Sequence, residues 1–476
     1  MSAAANARWI GAIQFSKIAV QLLSLLALSR LLSPADFGLV AIASVVTSFA
    51  ALFRDLGTAA AVIQRPELDE AAKSSAFWLN AGLGLGLGLI VALIAPMVSI
   101  VMKAPELTGL LLVIACVFPV TGTTTVHQAL LERASQFALI ARIEIISMLT
   151  GFAVAIGSAV AGAGPYSLVF QSLAIALLSS LLLWTFAGWR PKRVWSRAHV
   201  RELWSFSRGL FAFNLVNYLA RNADSLLIGR FLGPTSLGAY TVAYRTMLFP
   251  LHNLTFVASR ALFPVMSRRQ TAVDEVAKLY FRSLSIITFF TAPLMAGLFV
   301  LREPFVEVVL GEKWAAVAAI IAWLAPVGFI QSIISSSGAV FMALGRTTTM
   351  FRISAISTLV TVTGFAIGLQ WGVTGVAASY LFTNALMAIP TLAIVLRCLN
   401  ARPAHLVQAI QRPIAMGLAM ALLVFLARSE ILSLMLPHPV QLVILVATGG
   451  ISYFALAHYG ANALERDVLR VFSRKA

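Results

Sequence analysis

The sequence predicts an all-α polytopic membrane protein of about 14 transmembrane helices, built as two six-helix lobes in parallel repeat plus two C-terminal helices. Of its 476 residues, 60% are hydrophobic and 11% are charged, and the mean hydropathy is +0.90. A soluble domain of this size could not bury so much apolar surface. Apolar stretches of spanning length recur along the chain, and a polar stripe occurs twice within them.

The membrane helices are predicted from apolar stretches of about twenty residues, the length that crosses a hydrocarbon core. Fourteen can be placed, near 9–32, 38–63, 76–101, 107–131, 138–162, 165–187, 205–230, 238–263, 281–301, 315–343, 350–370, 374–397, 412–428 and 437–459. The first is longer than the apolar core of a signal peptide and carries Lys17 in its middle. It is therefore expected to remain as the first membrane helix.

The orientation follows from the positive charges. With the N-terminus inside, 24 of the 35 Lys and Arg residues fall on cytoplasmic segments, six on outer loops and five within helices. The positive-inside rule then predicts that both termini are cytoplasmic. The most basic stretch, 190–197, joins helices 6 and 7, either as an orientation anchor and linker or as a binding site for anionic lipid.

The duplicated stripe predicts the domain organisation. Its members are spaced i, i+3, i+7 and i+10, which places each set along one face of a helix. The two sets are Gln14, Lys17, Gln21 and Ser24, and Asn214, Asn217, Arg221 and Asp224. An even number of crossings separates them, so the two lobes share one orientation. The expected domains are 1–188 (first lobe), 189–204 (basic linker), 205–398 (second lobe) and 399–476 (two extra helices and a basic tail).

Charged residues inside the predicted helices indicate the ligand. Each costs about 2.5–3.5 kcal/mol at the centre of a membrane helix, so we expect these side chains to face the bundle interior. The cations are Lys17, Arg54, Arg221, Arg245 and Arg260, and the anions are Asp55 and Asp224. Lys17 is expected to be unpaired, and Glu144 to lie at the interface. An excess of internal positive charge indicates an anionic substrate such as a phosphate or diphosphate.

Structural roles remain open for these residues. Arg221 and Asp224 are three apart and could form a buried ion pair that locks helix 7, and Lys17 could cap carbonyls in helix 1. The amides of Gln14, Gln21, Asn214 and Asn217 could line a path for sugars or join helices by hydrogen bonds. His252, Asn253 and Gln331 are weaker candidates for the cavity.

Several classes of function are disfavoured. The sequence contains no HExxH, GxSxG, Walker or DxD motif, so no enzyme activity, metal or cofactor is predicted. The glycine run at 82–88 lies inside a spanning segment and is expected to permit close helix packing or bending. The net charge of +17 falls in short runs between apolar segments, which disfavours nucleic-acid binding.

Two segments carry a family resemblance. Residues 28–38, LSRLLSPADFG, resemble the "LARLLSPEDFG" signature that opens bacterial polysaccharide-export flippases, and residues 53–65, FRDLGTAAAVIQR, resemble their "FRDLGLGAALIQR" segment. The resemblance is nearest to the branch with the colanic acid, succinoglycan and xanthan exporters, within the multidrug/oligosaccharidyl-lipid/polysaccharide (MOP) superfamily. It is specific over 28–65, weaker around 226–245, and otherwise rests on topology.

The resemblance implies a function in the bacterial inner membrane. Two lobes would alternate between inward- and outward-facing states and flip an undecaprenyl-diphosphate-linked oligosaccharide for exopolysaccharide, capsule or O-antigen assembly. Cations on helices 1, 2 and 8 would hold the diphosphate, a role that Lys17, Arg54 and either Arg260 or Arg245 could fill. Arg30, also in the signature, is expected to shape the turn after helix 1. A polysaccharide polymerase and export machinery are the implied protein partners.

Two rival functions remain. A drug antiporter of the same superfamily, coupled to H⁺ or Na⁺, would need acidic cavity residues, and Asp55 and Asp224 are available. A membrane polymerase or ligase would need a large outer loop, whereas the longest, at 301–314, is short. In the leading hypothesis Lys17, Arg54 and Arg221 contact the diphosphate, and Asp224 adjusts Arg221 and couples transport to proton movement.

Overall fold

A computed structural model describes residues 3–54, 58–64, 68–196, 218, 222–434 and 436–460. Within these ranges the chain forms helices joined by short turns. The chain divides into two compact units, Met1–Gly238 and Ala239–Ala476.

The first unit contains ten helices in its described part. They are α1 (Ala3–Leu31), α2 (Pro34–Arg54), α3 (Thr58–Gln64), α4 (Glu70–Met102), α5 (Leu107–Ala115), α6 (Val117–Gly122), α7 (Thr125–Arg133), α8 (Phe137–Val160), α9 (Tyr166–Phe186) and α10 (222–231). The predicted second span is divided between α2 and α3, and the fourth among α5, α6 and α7. The pair formed by Leu107–Gly122 and Thr125–Arg133 bends by 43° at the break between them.

The second unit begins inside α11 (Gly233–Ser267). It continues with α12 (Val273–Val300), α13 (Arg302–Phe305), α14 (Ala315–Ser335), α15 (Ser337–Ala343), α16 (Thr347–Gly368), α17 (Gly372–Cys398), α18 (Pro403–Ser433) and α19 (His438–Gly460). A π-helical turn, Val306–Leu310, and a 3₁₀ turn, Glu312–Trp314, connect α13 to α14. The buried core of this unit includes Trp314 and Tyr280.

The helices confirm the predicted fold class. Nine helical segments of the described chain, or ten if the bent pair counts as one span, are long and apolar enough to cross a membrane; α16 and α17 count together among them. Each predicted span except 205–230 coincides with one or more helices of the described chain, although α1 and α11 are not among the nine. That span falls largely outside the described residues, and α10 forms its end.

The signature segment 28–38 forms the turn from α1 to α2. The carboxylate Oδ2 of Asp36 accepts hydrogen bonds from the backbone N–H of Ser33 at 2.8 Å and from its hydroxyl at 2.7 Å. In return, the backbone N–H of Asp36 donates to Ser33 Oγ at 3.2 Å. Pro34 occupies the first helical position, where no backbone N–H is needed. Reciprocal capping thus fixes the start of α2.

The glycine run in α4 packs closely, as predicted. A Cβ added at Gly84 would lie 2.5 Å from the carbonyl oxygen of Phe118, and one at Gly88 would lie 2.9 Å from that of Ala115. The alternating glycines at 82 and 86 meet nothing within 4 Å. Residues four apart share one face of a helix, so Gly84 and Gly88 bring the backbone of α4 against the α5–α6 segment.

The described part of the basic linker is hydrogen-bonded to helix α4 of the first unit. In its described part, 189–196, the backbone N–H of Lys192 donates to Ser74 Oγ at 3.0 Å and that of Ser196 donates to Ser75 Oγ at 2.9 Å. Both serines lie in the first turns of α4. Residues 189–196 therefore belong to the first unit. The domain boundaries that the repeat predicts stay a prediction.

Candidate functional site

Lys17 forms an ion pair that the sequence analysis missed. Its ammonium Nζ lies 2.9 Å from Oε2 of Glu144, which extends from the second turn of α8. The expectation of an unpaired Lys17 is therefore wrong, whereas the interfacial position of Glu144 stays a prediction. The Lys17 side chain remains 47% exposed. It can bind an anion while Glu144 balances part of its charge.

The rest of the first polar stripe is accessible. Gln14 and Gln21 are exposed on α1, and Ser24 is partly buried. Ser24 Oγ accepts a hydrogen bond from the amide of Gln171 on α9 at 3.5 Å. Gln14 and Gln21 therefore stay candidates for contact with a polar ligand, while Ser24 joins two helices.

The other predicted site residues are described only in part. Arg54 ends α2, but its side chain lies outside the described residues, as do the side chain of Arg260 in α11 and the whole of Asp55, Asn214, Asn217 and Arg221. Arg245 is exposed on α11. The predicted pair between Arg221 and Asp224 thus falls outside the described part of the chain, as do the side chains of His252 and Asn253.

Asp224 lies in the first turn of the described part of α10 and is only 5% exposed. Its Oδ1 accepts a hydrogen bond from the backbone N–H of Ser225 at 2.6 Å and lies 3.3 Å from the hydroxyl of the same residue. A carboxylate in this setting needs several such donors, because burial disfavours its charge. Its role in ion coupling stays a prediction.

The two copies of the repeat meet through their glycines. An added Cβ at Gly38 would overlap the carbonyl oxygen of Pro234, and one at Gly238 would overlap the carbonyl oxygen of Pro34. Both prolines lie at the start of a helix. Pro34 is the first residue of α2, and Pro234 is the second residue of α11. In each copy, the proline carbonyl therefore packs against the glycine of the other copy. Only a residue without a side chain permits backbones to approach so closely.

The first unit also contains a polar pocket that the sequence analysis missed. It encloses about 640 Å³ between α3, the bent α6–α7 pair and α9. Its polar lining consists of Thr121, Thr124, Thr125, Gln128, Glu132, Ser172 and Ser179. The polar residues of α6–α7 recur at helical spacing, whereas α9 contributes Ser172 and Ser179 among apolar lining residues. That spacing was the available signal, but serine and threonine hardly lower the hydropathy of a spanning segment.

Gln331 occupies a different setting in the second unit. Its amide Nε2 donates to the hydroxyl of Tyr380 at 2.7 Å and to Oδ1 of Asn384 at 3.3 Å, which joins α14 to α17. The amide of Asn384 in turn donates to the backbone carbonyl of Tyr380 at 2.8 Å. Gln331 therefore links helices through hydrogen bonds.

Substitution of Glu144 by glutamine is expected to raise the affinity of the protein for an anionic lipid. A Glu144→Gln variant leaves Lys17 without its counter-ion, so a diphosphate no longer competes with a carboxylate. Pairs this exposed contribute up to about 1 kcal/mol, so binding of undecaprenyl diphosphate should tighten up to about fivefold. Lys17→Ala should weaken it. Binding is measured on purified protein, and equal changes in both variants would contradict a role for Lys17.

Comparison with known proteins agrees with this architecture. A family model described as "Polysaccharide biosynthesis protein" matches residues 27–319. The chain is 27% identical to the lipopolysaccharide biosynthesis protein WzxC of Escherichia coli strain K12, over 81% of this chain and 79% of WzxC. It is 31% identical to the succinoglycan biosynthesis transport protein ExoT of Rhizobium meliloti, over 60% of this chain and 58% of ExoT.

A solved structure shares the fold. The lipid II flippase MurJ, in an inward closed conformation, matches with a TM-score of 0.77 at 15% identity, over 97% of this chain and 100% of MurJ. This likeness concerns the fold alone. The family match covers the signature turn, the reciprocal glycine and proline of the first repeat, and the polar pocket. The chain is thus a multi-pass membrane protein that belongs to the polysaccharide biosynthesis protein family.

Proposed function

We propose that this protein is a flippase that moves an undecaprenyl-diphosphate-linked oligosaccharide across the bacterial inner membrane for exopolysaccharide, capsule or O-antigen assembly. The family match over 27–319 carries the proposal. The relatives support its two parts: ExoT is named for succinoglycan transport and MurJ for flipping lipid II. The accessible ammonium of Lys17 supports an anionic substrate. Both termini are assigned to the cytoplasm, and a polysaccharide polymerase and export machinery are the proposed partners.

The diphosphate is assigned to the intramembrane cations. Arg and Lys donors bind phosphate oxygens strongly, and a dehydrated bundle strengthens that attraction. Lys17 and Arg54 are the principal candidates in the first repeat, joined by Arg221, Arg245 and Arg260. Glu144 reduces the excess positive charge that the sequence indicated, but the cations still outnumber the acidic residues Asp55, Asp224 and Glu144.

Transport is proposed to proceed by alternating access, with the reciprocal glycine contacts as the closed outer gate. In the assigned orientation the turns after α1 and α10 lie on the outer side of the membrane. Helices that meet at Gly38 and Gly238 would close the path on that side. Their separation would release the glycan outward, while Asp224 is assigned to coupling with proton movement.

Replacing Arg54 tests the assignment to the diphosphate. Arg54→Ala should abolish polymer export while the protein still inserts into the membrane, because the variant loses a phosphate-binding cation. Arg346→Ala is the control, since Arg346 is exposed before α16 and outside the predicted spans. Export is measured as cell-surface polysaccharide at matched protein levels. Normal polymer in the Arg54 variant would refute the assignment.

A reconstituted assay tests the transport step itself. Purified protein in liposomes should move a lipid-linked oligosaccharide between leaflets, and the rate should depend on a proton gradient if Asp224 couples the two. Movement that is unaffected by collapse of ion gradients would remove the role of Asp224. Transport of cationic dyes with no movement of the glycolipid would support the drug antiporter instead.

A further inference from the structure

We propose that the polar pocket of the first unit binds sugar hydroxyls of the transported glycan and forms a specificity site separate from the cations assigned to the diphosphate. This inference rests on the proposed flippase function. It concerns the cavity of about 640 Å³ between α3, α6–α7 and α9.

The lining of the pocket is built from two helical faces. On α6–α7 the polar residues fall at positions 121, 124, 125, 128 and 132, and on α9 the lining residues fall at 172, 175, 176, 179 and 183. Spacings of three and four keep each set on one side of its helix. A carboxylate inside a membrane bundle is costly without polar partners, so the convergence of Glu132 with the polar residues of both helices on one cavity indicates a polar ligand.

The hydrogen bonds of the lining make the pocket rich in acceptors. The hydroxyls of Thr124 and Thr125 donate to the backbone carbonyl of Thr121, at 2.9 and 3.3 Å, and that of Ser172 donates to the carbonyl of Leu168 at 3.1 Å. A hydroxyl that donates its one proton to its own helix offers only its lone pairs to a ligand. The best partner for such a surface is a ligand that brings many donors.

The charge of the pocket separates sugars from phosphate. Glu132 is its carboxylate, and one of its oxygens accepts from the amide of Gln128 at 3.0 Å. No Lys or Arg occurs among the lining residues that the structure describes. A phosphate placed here would face a negative charge and acceptors, whereas sugar hydroxyls would donate to both. Such a pocket fits the glycan and disfavours the diphosphate.

The wall of the pocket is fixed by contacts outside the lining. Arg133, next to Glu132, donates through Nη1 to the carbonyl of Val62 at 2.9 Å, which ties the end of α7 to α3. The hydroxyl of Thr58 on α3 donates to Asn80 Oδ1 on α4 at 3.0 Å. These bonds hold the cavity in shape before a ligand arrives, which lowers the ordering cost of binding.

The matching helices of the second repeat are arranged differently. Helices 4 and 6 of the first repeat, α5–α7 and α9, correspond in order to α14–α15 and α17 in the second. There the amide of Gln331 donates to Tyr380 and Asn384, so polar side chains satisfy one another. At the corresponding helices of the second repeat, these polar side chains thus bond one another rather than facing a ligand.

The position and size of the pocket suit the glycan before transport. In the assigned orientation, Glu132 and Leu183 lie near the cytoplasmic ends of α7 and α9, on the side where the lipid-linked glycan is loaded. The volume is within the range of sites that enclose a small ligand, enough for roughly two sugar rings. The remainder of a longer glycan would extend beyond it.

Two conservative variants test the site with two lipid probes. Glu132→Gln keeps the shape of the carboxylate but removes its charge, and Thr125→Val replaces a hydroxyl with a methyl group. The probes are the lipid-linked oligosaccharide extracted from the polymer-producing strain and sugar-free undecaprenyl diphosphate. Each variant should bind the oligosaccharide about five- to tenfold more weakly and undecaprenyl diphosphate with unchanged Kd.

Matched controls exclude general effects. Glu106→Gln changes an exposed carboxylate before α5, and Ser158→Ala removes a partly buried hydroxyl from α8, outside the pocket; both should bind the two probes as the wild type does. Retained binding of undecaprenyl diphosphate shows that a variant is folded. Equal loss for both probes, or no loss for either, would overturn the glycan site. Ethidium binding that requires Glu132 would instead identify a site for cations.

The two proposals fail in different ways. If the wild type binds neither lipid probe, the flippase function fails, and the glycan site fails with it. If the wild type binds both and Arg54→Ala weakens both, while Glu132→Gln and Thr125→Val leave both unchanged, the flippase function survives and the glycan site does not.

Discussion

Replacing Gly38 with alanine is expected to reduce polymer export at least about fivefold, because the two repeats can no longer meet at the proposed outer gate. The new methyl group would overlap the backbone carbonyl oxygen of Pro234. A carbonyl at the start of a helix cannot rotate away as a flexible side chain can, so the helices must separate. Overpacking of this kind costs about 1–3 kcal/mol or more, which lowers the closed population about five- to 150-fold.

The repeat supplies a matched second variant. Gly238→Ala meets the carbonyl oxygen of Pro34 in the same way and should have the same effect. Once one methyl group has separated the helices, the second has less to displace. The double variant should therefore cost less than the sum of the two single variants. Additive effects would indicate two independent sites rather than one shared contact.

A labelling measurement separates gating from misfolding. In a variant without Cys116 and Cys398, a cysteine at position 21 reports access to the polar face of α1 from outside. Gly38→Ala should increase its reaction with an impermeant maleimide, since the outer gate no longer closes. Gly157→Ala, on α8 with no atom within 4 Å of the new Cβ, is the control. Reduced export with unchanged labelling would contradict the assignment of an outer gate.

Features encoded locally could be predicted from the sequence. Spanning helices follow from runs of apolar residues, and the start of α2 follows from Ser33, Pro34 and Asp36, which lie within four residues of one another. The close packing of the glycine run also follows, because small residues four apart share a helix face. In each case the interacting groups are close in the sequence or repeat with a fixed period.

Features that depend on tertiary contact could not be predicted from the sequence. Glu144 lies far along the chain from Lys17, and only the packing of α1 against α8 brings their charges to 2.9 Å. The charge excess was therefore overestimated. The pocket was missed for a different reason: its hydroxyls donate to carbonyls of their own helices, which makes them compatible with a spanning segment. Their number within one cavity becomes evident only when α6–α7 and α9 are placed together.

The glycine run provides the second large effect, on stability rather than transport. Gly84→Ala should destabilise the purified protein, because its Cβ would lie 2.5 Å from the carbonyl oxygen of Phe118 and force α4 away from α6. Gly86→Ala, two residues along the same helix, meets nothing within 4 Å. It should be neutral or stabilise by about 0.5–1 kcal/mol, since alanine favours the helix over glycine. The two identical substitutions are thus expected to shift Tm in opposite directions.

The measurement is thermal unfolding in detergent with matched expression tests in membranes. Overpacking by Gly84→Ala is expected to lower the free energy of unfolding by about 1–3 kcal/mol. The higher helix propensity of alanine offsets part of this loss. The Gly88→Ala variant should have a stability between those of Gly84→Ala and Gly86→Ala. Its Cβ would lie 2.9 Å from the carbonyl oxygen of Ala115, so a smaller helix displacement removes the overlap. The order Gly86, Gly88, Gly84 therefore ranks the variants from most to least stable. A Gly84 variant as stable as Gly86→Ala would mean that α4 and α6 do not pack through this face.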